Sequence, residues 1–180
     1  MTTPDLRLVR SDRLTASERR ALRALLDAAF EGDFTDDDWN HGLGGWHAVM
    51  ALGDEVVAHG SVVPRTLWIG RHAFRAGYVE AVAVTPSRQR GGLGTGVMRA
   101  LTDLVCREFE LGALSTGEWG FYERLGWQRW RGASWVRLRD GGLVRTAEDD
   151  DGLMVLRCGT SEAVDLAADI TCEERDGDSW

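Results

Sequence analysis

Residues 79–96 constrain the fold more than any other stretch of the chain. Val79-Glu80-Ala81-Val82-Ala83-Val84 is an apolar run with the β-branched content of a strand, and Thr85-Pro86 ends it. Gln89-Arg90-Gly91-Gly92-Leu93-Gly94-Thr95-Gly96 follows, after which Leu93, Val97, Leu101, Leu104 and Val105 mark the buried stripe of a helix. A strand, a glycine turn and a helix in that order require a sheet with the helix laid along it. At such a turn the N–H groups of the first helical residues point outward, glycines let them approach a ligand closely, and bound phosphate is favoured. The dinucleotide spelling G-x-G-x-x-G does not fit. Started from Gly92 it meets Val97 at its last position, and started from Gly94 it meets Arg99.

The rest of the chain reads as one mixed α/β (α+β) domain over residues 1–180. Asp5 to Arg10 alternates like a short strand. Thr15-Ala16-Ser17-Glu18 spells a capping box that opens a helix with Leu22, Leu25, Leu26 and Ala29 inward. From Trp46 to Val84, β-branched and aromatic residues broken at Gly53-Asp54 and Gly70 predict three antiparallel strands. Later strands are expected over Leu111 to Leu114, Trp127 to Leu138 and Leu153 to Leu156, with a short helix near Phe121 to Leu125.

Composition removes several classes of function. All 21 basic residues are arginine, so lysine nucleophiles, Schiff bases and a Walker A lysine are excluded. A net charge of −8 disfavours nucleic acid. No apolar stretch is long enough for a membrane span, and Met1 to Val9 lacks the pattern of a signal peptide, so a cytoplasmic location is expected. Cys106, Cys158 and Cys172 are odd in number and widely spaced, which predicts reduced, buried thiols. His41, His47, His59 and His72 lack metal-ligand spacing, so no metal is expected and the four read as structural or solvent-facing. Gly132-Ala133-Ser134-Trp135-Val136 lacks the last glycine of a nucleophile elbow.

Gln89, Gly92 and Gly94 spell Q-x-x-G-x-G after an apolar strand, and Phe121-Tyr122 with Gly126-Trp127 spells F-Y-x-x-x-G-W. Together they resemble the GCN5-related N-acetyltransferase superfamily. The resemblance implies a mixed central sheet, splayed where acetyl-CoA binds and flanked by helices. It implies coenzyme contacts from Val82, Ala83, Val84, Gln89, Arg90, Gly91, Gly92, Leu93, Gly94 and Thr95, with an oxyanion-stabilising N–H near Val82 and with Tyr122 as the acid for the leaving thiolate. A carboxylate inside an apolar strand is uncommon unless paired or functional, which makes Glu80 the candidate base for an amine substrate.

A narrower resemblance runs nearly end to end. Gly32 to Trp39, His41 to Gly45, Gly77 to Glu80, Gly112 to Ser115, Asp149 to Gly152 and Gly177 to Trp180 look like the aminoglycoside 2′-N-acetyltransferase family. This implies acetylation of a polycationic antibiotic, drug resistance and a homodimer. It also implies substrate contacts from Asp33, Asp38, Glu80, Ser115, Asp150, Asp178 and Trp180, whose carboxylate is a second candidate base. Read by themselves, the acidic runs are solvated loops, helix caps or a fraying tail. Gly117 to Gly120 and Arg139 to Val144 depart from the family. A polyamine, an amino sugar or a protein amine stay open as substrates, as does a non-catalytic binder of cationic drug or coenzyme.

Overall fold

The computed structural model describes residues 3–180; Met1 and Thr2, where the reading of the first nine residues begins, lie outside them. Contacts divide the chain into two compact units, each built from separated segments. One comprises the chain up to Val63 and Val79–Asp103, the other Pro64–Tyr78 and Leu104–Trp180.

In the first unit, β1 (Asp5–Arg10) pairs antiparallel with β2 (Trp46–Leu52), and β2 pairs antiparallel with the start of β3 (Glu55–Ile69). The Thr15–Glu18 capping box forms as the sequence predicts and opens α1 (Ala16–Ala29). A second box, with Thr35 and Asp38, opens the short α2 (Asp36–His41). Leu14, Leu22 and Val49 form one apolar cluster, and Leu26, Phe34 and Ala83 form another. The unit also holds the end of β4 (His72–Val84) and most of α3 (Leu93–Glu108), whose Val97 and Leu101 are fully buried. A Cβ on Gly60 would come within 2.8 Å of Leu101 and 3.1 Å of Val97, so only glycine lets the helix lie this close to β3.

The second unit carries the ends of β3 and the start of β4, with β5 (Leu111–Ser115), α4 (Trp119–Glu123), β6 (Gln128–Arg129), β7 (Ser134–Arg137), β8 (Leu143–Arg145), β9 (Leu153–Arg157) and β10 (Ile170–Glu173). Its strands follow the order β6-β9-β5-β4-β3-β10-β7-β8. The sheet is mixed: β4 with β5 and β10 with β7 are parallel, while β5 with β9 and β7 with β8 are antiparallel. The β4–β5 ladder has three residue pairs, ending at Tyr78 and Ala113, although both strands continue beyond it.

Two expectations are corrected here. The single strand over Trp127 to Leu138 is two strands with different partners, because Arg131 and Gly132 donate to Leu166 O instead of joining a ladder. Gly132 meets the Ala168 backbone so closely that a built Cβ would stand 1.7 Å from its carbonyl oxygen. The three cysteines are not all reduced, since Cys106 and Cys158 form a disulfide. The β5–β9 pairing of Leu111 with Arg157 brings the residue after β9 to the end of α3, and their Cα atoms stand 5.2 Å apart. Cys106 is also exposed, not buried. Cys172 is a free thiol that burial pushes up to about 11, too high for a reactive thiolate.

Candidate active site

In the first unit, the strand and turn singled out by the sequence follow one another as expected. Val79 and Ala83 are buried, while Glu80, Ala81, Val82 and Val84 are half-buried. Ala81 has φ +52°, a left-handed conformation that costs a non-glycine residue roughly 1–2 kcal/mol. The kink is held from the side: Ser61 Oγ donates to Glu80 O at 3.2 Å, and His59 Nδ1 lies 2.9 Å from Ala81 O. Just past the strand, Thr85 N–H donates to Val57 O at 2.9 Å. Glu80 therefore sits directly before a kink within its own strand.

Pro86–Arg88 forms a single helical turn, and the chain then curls through left-handed Arg90 (φ +63°) and Gly92 (φ +83°) into α3 at Leu93. The first helical bond of the turn runs from Gly96 N to Gly92 O at 3.0 Å. Gln89 reaches back to Val84 O at 3.5 Å, and Arg88 pairs with Glu55 at 3.1 Å. Arg88 to Gly92 are exposed, so the amide groups of Gly91 to Thr95 and the Arg90 guanidinium are fit to meet a pyrophosphate.

Also in this unit, Asp38 is engaged by its own helix. Its Oδ2 accepts from Thr35 N and Thr35 Oγ1, both at 2.8 Å, as the helix-cap reading of the acidic run has it. Asp33 is exposed beside it in the loop that leads to the cap.

In the second unit, Tyr122 is 8% exposed in α4. Gly126, at φ +90°, reverses the chain so that Trp127 N donates to Tyr122 O at 3.2 Å, and the Tyr122 and Trp127 rings meet edge-on at 6.5 Å. This turn is the reason for the aromatic pair, glycine and tryptophan of the motif. Burial pushes the Tyr122 phenol up to about 12, the Glu118 charge adds to the rise, and a hydrogen bond with Thr116 opposes it. This lies above the ordinary phenol value near 10. Ser115 is exposed at the end of β5, where Gly152 leaves it room: a Cβ there would lie 2.8 Å from Ser115 Oγ.

The tail does not fray. Arg65 donates to Ser179 O at 2.8 Å and to Glu173 O at 2.9 Å, and Trp180 is 4% exposed. Trp180 N donates to Asp178 Oδ1 at 3.1 Å, and its indole Nε1 donates to Thr146 Oγ1 at 3.1 Å. Asp178 and Trp180 are thereby brought together. Asp150 is held differently: Arg145 grips both of its oxygens, and Ser134 donates to it through N and Oγ, at 2.9 and 2.7 Å. These partners, Arg145 first, bring its carboxyl down to about 2, so its charge is balanced inside the fold. The carboxyl of its neighbour Asp149 is raised by burial and then by the charge of Asp178. A run of four acids cannot announce which member faces an arginine and which another carboxylate.

Among the described residues, no group of His, Cys, Asp or Glu is placed to hold a metal, and no helix is long and apolar enough to cross a membrane.

Comparison with known proteins defines the class first. The family model of an acetyltransferase (GNAT) domain matches residues 10–130. A GNAT family N-acetyltransferase (YhbS) from Escherichia coli, solved in complex with CoA, superposes with a TM-score of 0.69 at 15% identity, covering 98% of this chain and 95% of that one. A GNAT family acetyltransferase from Brucella melitensis in complex with acetyl-CoA gives 0.60 at 18% identity, over 92% and 94%. The chain spans about a third of the length of several other solved acetyltransferases that it matches. These likenesses establish a GNAT fold. The aminoglycoside 2′-N-acetyltransferase of Mycolicibacterium fortuitum is 43% identical over 178 residues, 97% of this chain and 91% of the relative. The chain belongs to the aminoglycoside 2′-N-acetyltransferase family of GNAT acetyltransferases.

Proposed function

We propose that the protein transfers the acetyl group of acetyl-CoA to the 2′-amine of an aminoglycoside by direct attack in a ternary complex, conferring resistance, and that it does so in the cytoplasm as a homodimer. The observation that carries the reading is the kinked strand: β4 leaves its β5 ladder at Tyr78, kinks at Ala81 next to Glu80 and then leads through a single helical turn into the glycine turn of α3. A strand whose backbone is not fully paired can add a pantetheine arm through Val82, Ala83 and Val84 as it would a further strand. The turn from Gln89 to Thr95 meets the pyrophosphate.

In the proposed reaction the Glu80 carboxylate takes a proton from the substrate ammonium, directly or through one water. The freed nitrogen attacks the thioester carbonyl, and the Val82 N–H donates to the developing oxyanion. The C–N bond forms as the C–S bond breaks, and Tyr122 O–H donates to the departing sulfur. Asp33, Asp38, Ser115, Asp150, Asp178 and Trp180 are proposed as substrate contacts. Asp38 and Asp150 carry bonds within the fold, and so do Asp178, whose Oδ1 accepts from Trp180 N, and Trp180, whose O accepts from Arg175 at 3.4 Å. The Trp180 carboxylate stays the alternative base.

Mass spectrometry of products from acetyl-CoA with tobramycin or gentamicin tests the substrate. The expected result is one added acetyl, absent from analogues with hydroxyl in place of the 2′-amine; acetylation of those analogues would remove the regiochemistry. Glu80→Gln is expected to lower kcat by about 100-fold and flatten its acid limb, in line with general-base catalysis. An unchanged profile would move the base to Trp180, where extending the chain by one glycine would displace the carboxylate and abolish turnover.

A further inference from the structure

We infer that Ser11, His47 and His59 form a one-way hydrogen-bonded chain that holds the kinked Ala81 peptide of β4 and so positions the Glu80 carboxylate and the Val82 N–H for acetyl transfer. The inference rests on the acetyl-transfer reading above and adds three positioning residues to it. They lie on the single-turn helix after β1 and on β2 and β3, all within the first unit.

The geometry is continuous. Ser11 Oγ lies 2.8 Å from His47 Nε2, His47 Nδ1 lies 2.9 Å from His59 Nε2, and His59 Nδ1 lies 2.9 Å from Ala81 O. Ser11 is 7% exposed, and each histidine 1%. A carbonyl oxygen only accepts, so His59 Nδ1 carries the proton that faces Ala81. In a neutral ring Nε2 is then an acceptor, and the proton between the rings belongs to His47 Nδ1. By the same logic His47 Nε2 accepts from the Ser11 hydroxyl. The chain is closed at its far end, because Ser11 Oγ accepts from Gly44 N at 3.0 Å and Gly45 N at 3.2 Å. Every ring nitrogen has a partner, and with both rings neutral the Ser11 hydroxyl gives its proton to His47 Nε2 and not to Gly45 O, the other acceptor, 3.3 Å away.

Burial keeps both rings neutral, with His47 held down to about 3, aided by the charges of His59 and Arg19, and His59 to about 4. A neutral ring has one tautomer here, and hence a fixed direction of donation. The chain is not a proton wire to Glu80, since it ends on a carbonyl oxygen that cannot take up a proton and pass it on. Its consequence is mechanical. A left-handed non-glycine residue inside a strand persists only when its surroundings over-determine it. Ala81 O takes its bond from His59, and the preceding carbonyl, Glu80 O, takes one from Ser61 on the same face of β3. Release of the Ala81 peptide would let the strand relax toward regular pairing and turn the Glu80 side chain and the Val82 N–H away from their present directions.

The test uses the full-length protein with acetyl-CoA and tobramycin. Histidine 15N spectra at neutral pH are expected to show two buried neutral rings protonated on Nδ1. An Nε2–H tautomer or an imidazolium at either ring overturns the inference. His59→Leu removes the donor, and kcat per folded molecule is expected to fall by about 10- to 100-fold, the size of effect produced by slight misplacement of reacting groups. His59→Asn keeps an amide donor near the position of Nδ1 and is expected to recover most of that loss. Unchanged kcat in a folded His59→Leu, or no recovery in His59→Asn, overturns the inference. If His59→Leu fails to fold, the wild-type tautomers and the kcat of His59→Asn decide. A wild type that releases no thiol with any amine overturns the acetyl-transfer reading instead, and the spectra still report on the hydrogen-bonded chain.

Discussion

Tyr122 shows how much of a residue's chemistry its surroundings set. As an exposed phenol it would lose its proton near pH 10; buried beside Glu118 it holds it to about 12. A raised pKa means that the protonated form persists to higher pH, so the hydrogen-bond donor is present throughout the range in which an amine substrate is acetylated. The expected consequence is that the pH profile of kcat has no falling limb assignable to Tyr122 between pH 9 and 11. A limb near 10 that disappears in Tyr122→Phe would contradict this. The F-Y-x-x-x-G-W spelling makes the position of Tyr122 legible from the sequence, because the Gly126 reversal is local. The environment that shifts its phenol was not legible, since Glu118 and Thr116 are brought to it by the turn of α4. The same holds for Asp149 and Asp150, neighbours in sequence with opposite shifts.

At the level of elements, the sequence was most reliable where local chemistry decides. Both ends of β1, the Thr15–Glu18 cap and the three long strands between Trp46 and Val84 are as expected from their patterning. It failed where a distant segment intervenes, as Leu166 to Ala168 do in splitting β6 from β7. The Cys106–Cys158 disulfide is another such case, closing a separation of 52 residues between α3 and the end of β9. A loop of that size restricts the unfolded chain, so Cys106→Ser is expected to cost about 2–4 kcal/mol and to lower Tm by several degrees. Thermal melts with and without reductant check this: the wild type in reductant should melt with the variant, and identical melts under all conditions would mean that the cross-link contributes nothing. In a reducing cytoplasm the fold would have to stand on its apolar packing alone.

Across the whole molecule, the histidine pair couples stability to acid. Both rings titrate below the unfolded value of 6.5, so the unfolded chain binds more protons as pH falls past that value. Their contribution is therefore fully present above pH 6.5 and lost progressively toward pH 4. Between pH 7 and 5 the expected loss is roughly 4 kcal/mol for the two rings together. Denaturant unfolding at the two pH values measures it, and an unchanged midpoint would show that the rings titrate alike in the folded and unfolded chain.

The sequence alone determined the class of chemistry. A strand that empties into a glycine turn, a tyrosine before a reversing glycine, the lack of lysine and the excess of acid are local or compositional facts, and each restricts mechanism without reference to distant residues. Only the tertiary structure decided which polar groups act on which. Ser11, His47 and His59 are far apart in sequence, and nothing in their spacing marks them as one network. They meet because β1, β2 and β3 pair in a register set by burial of their apolar faces, and a buried polar group has to find its partner wherever that packing puts it.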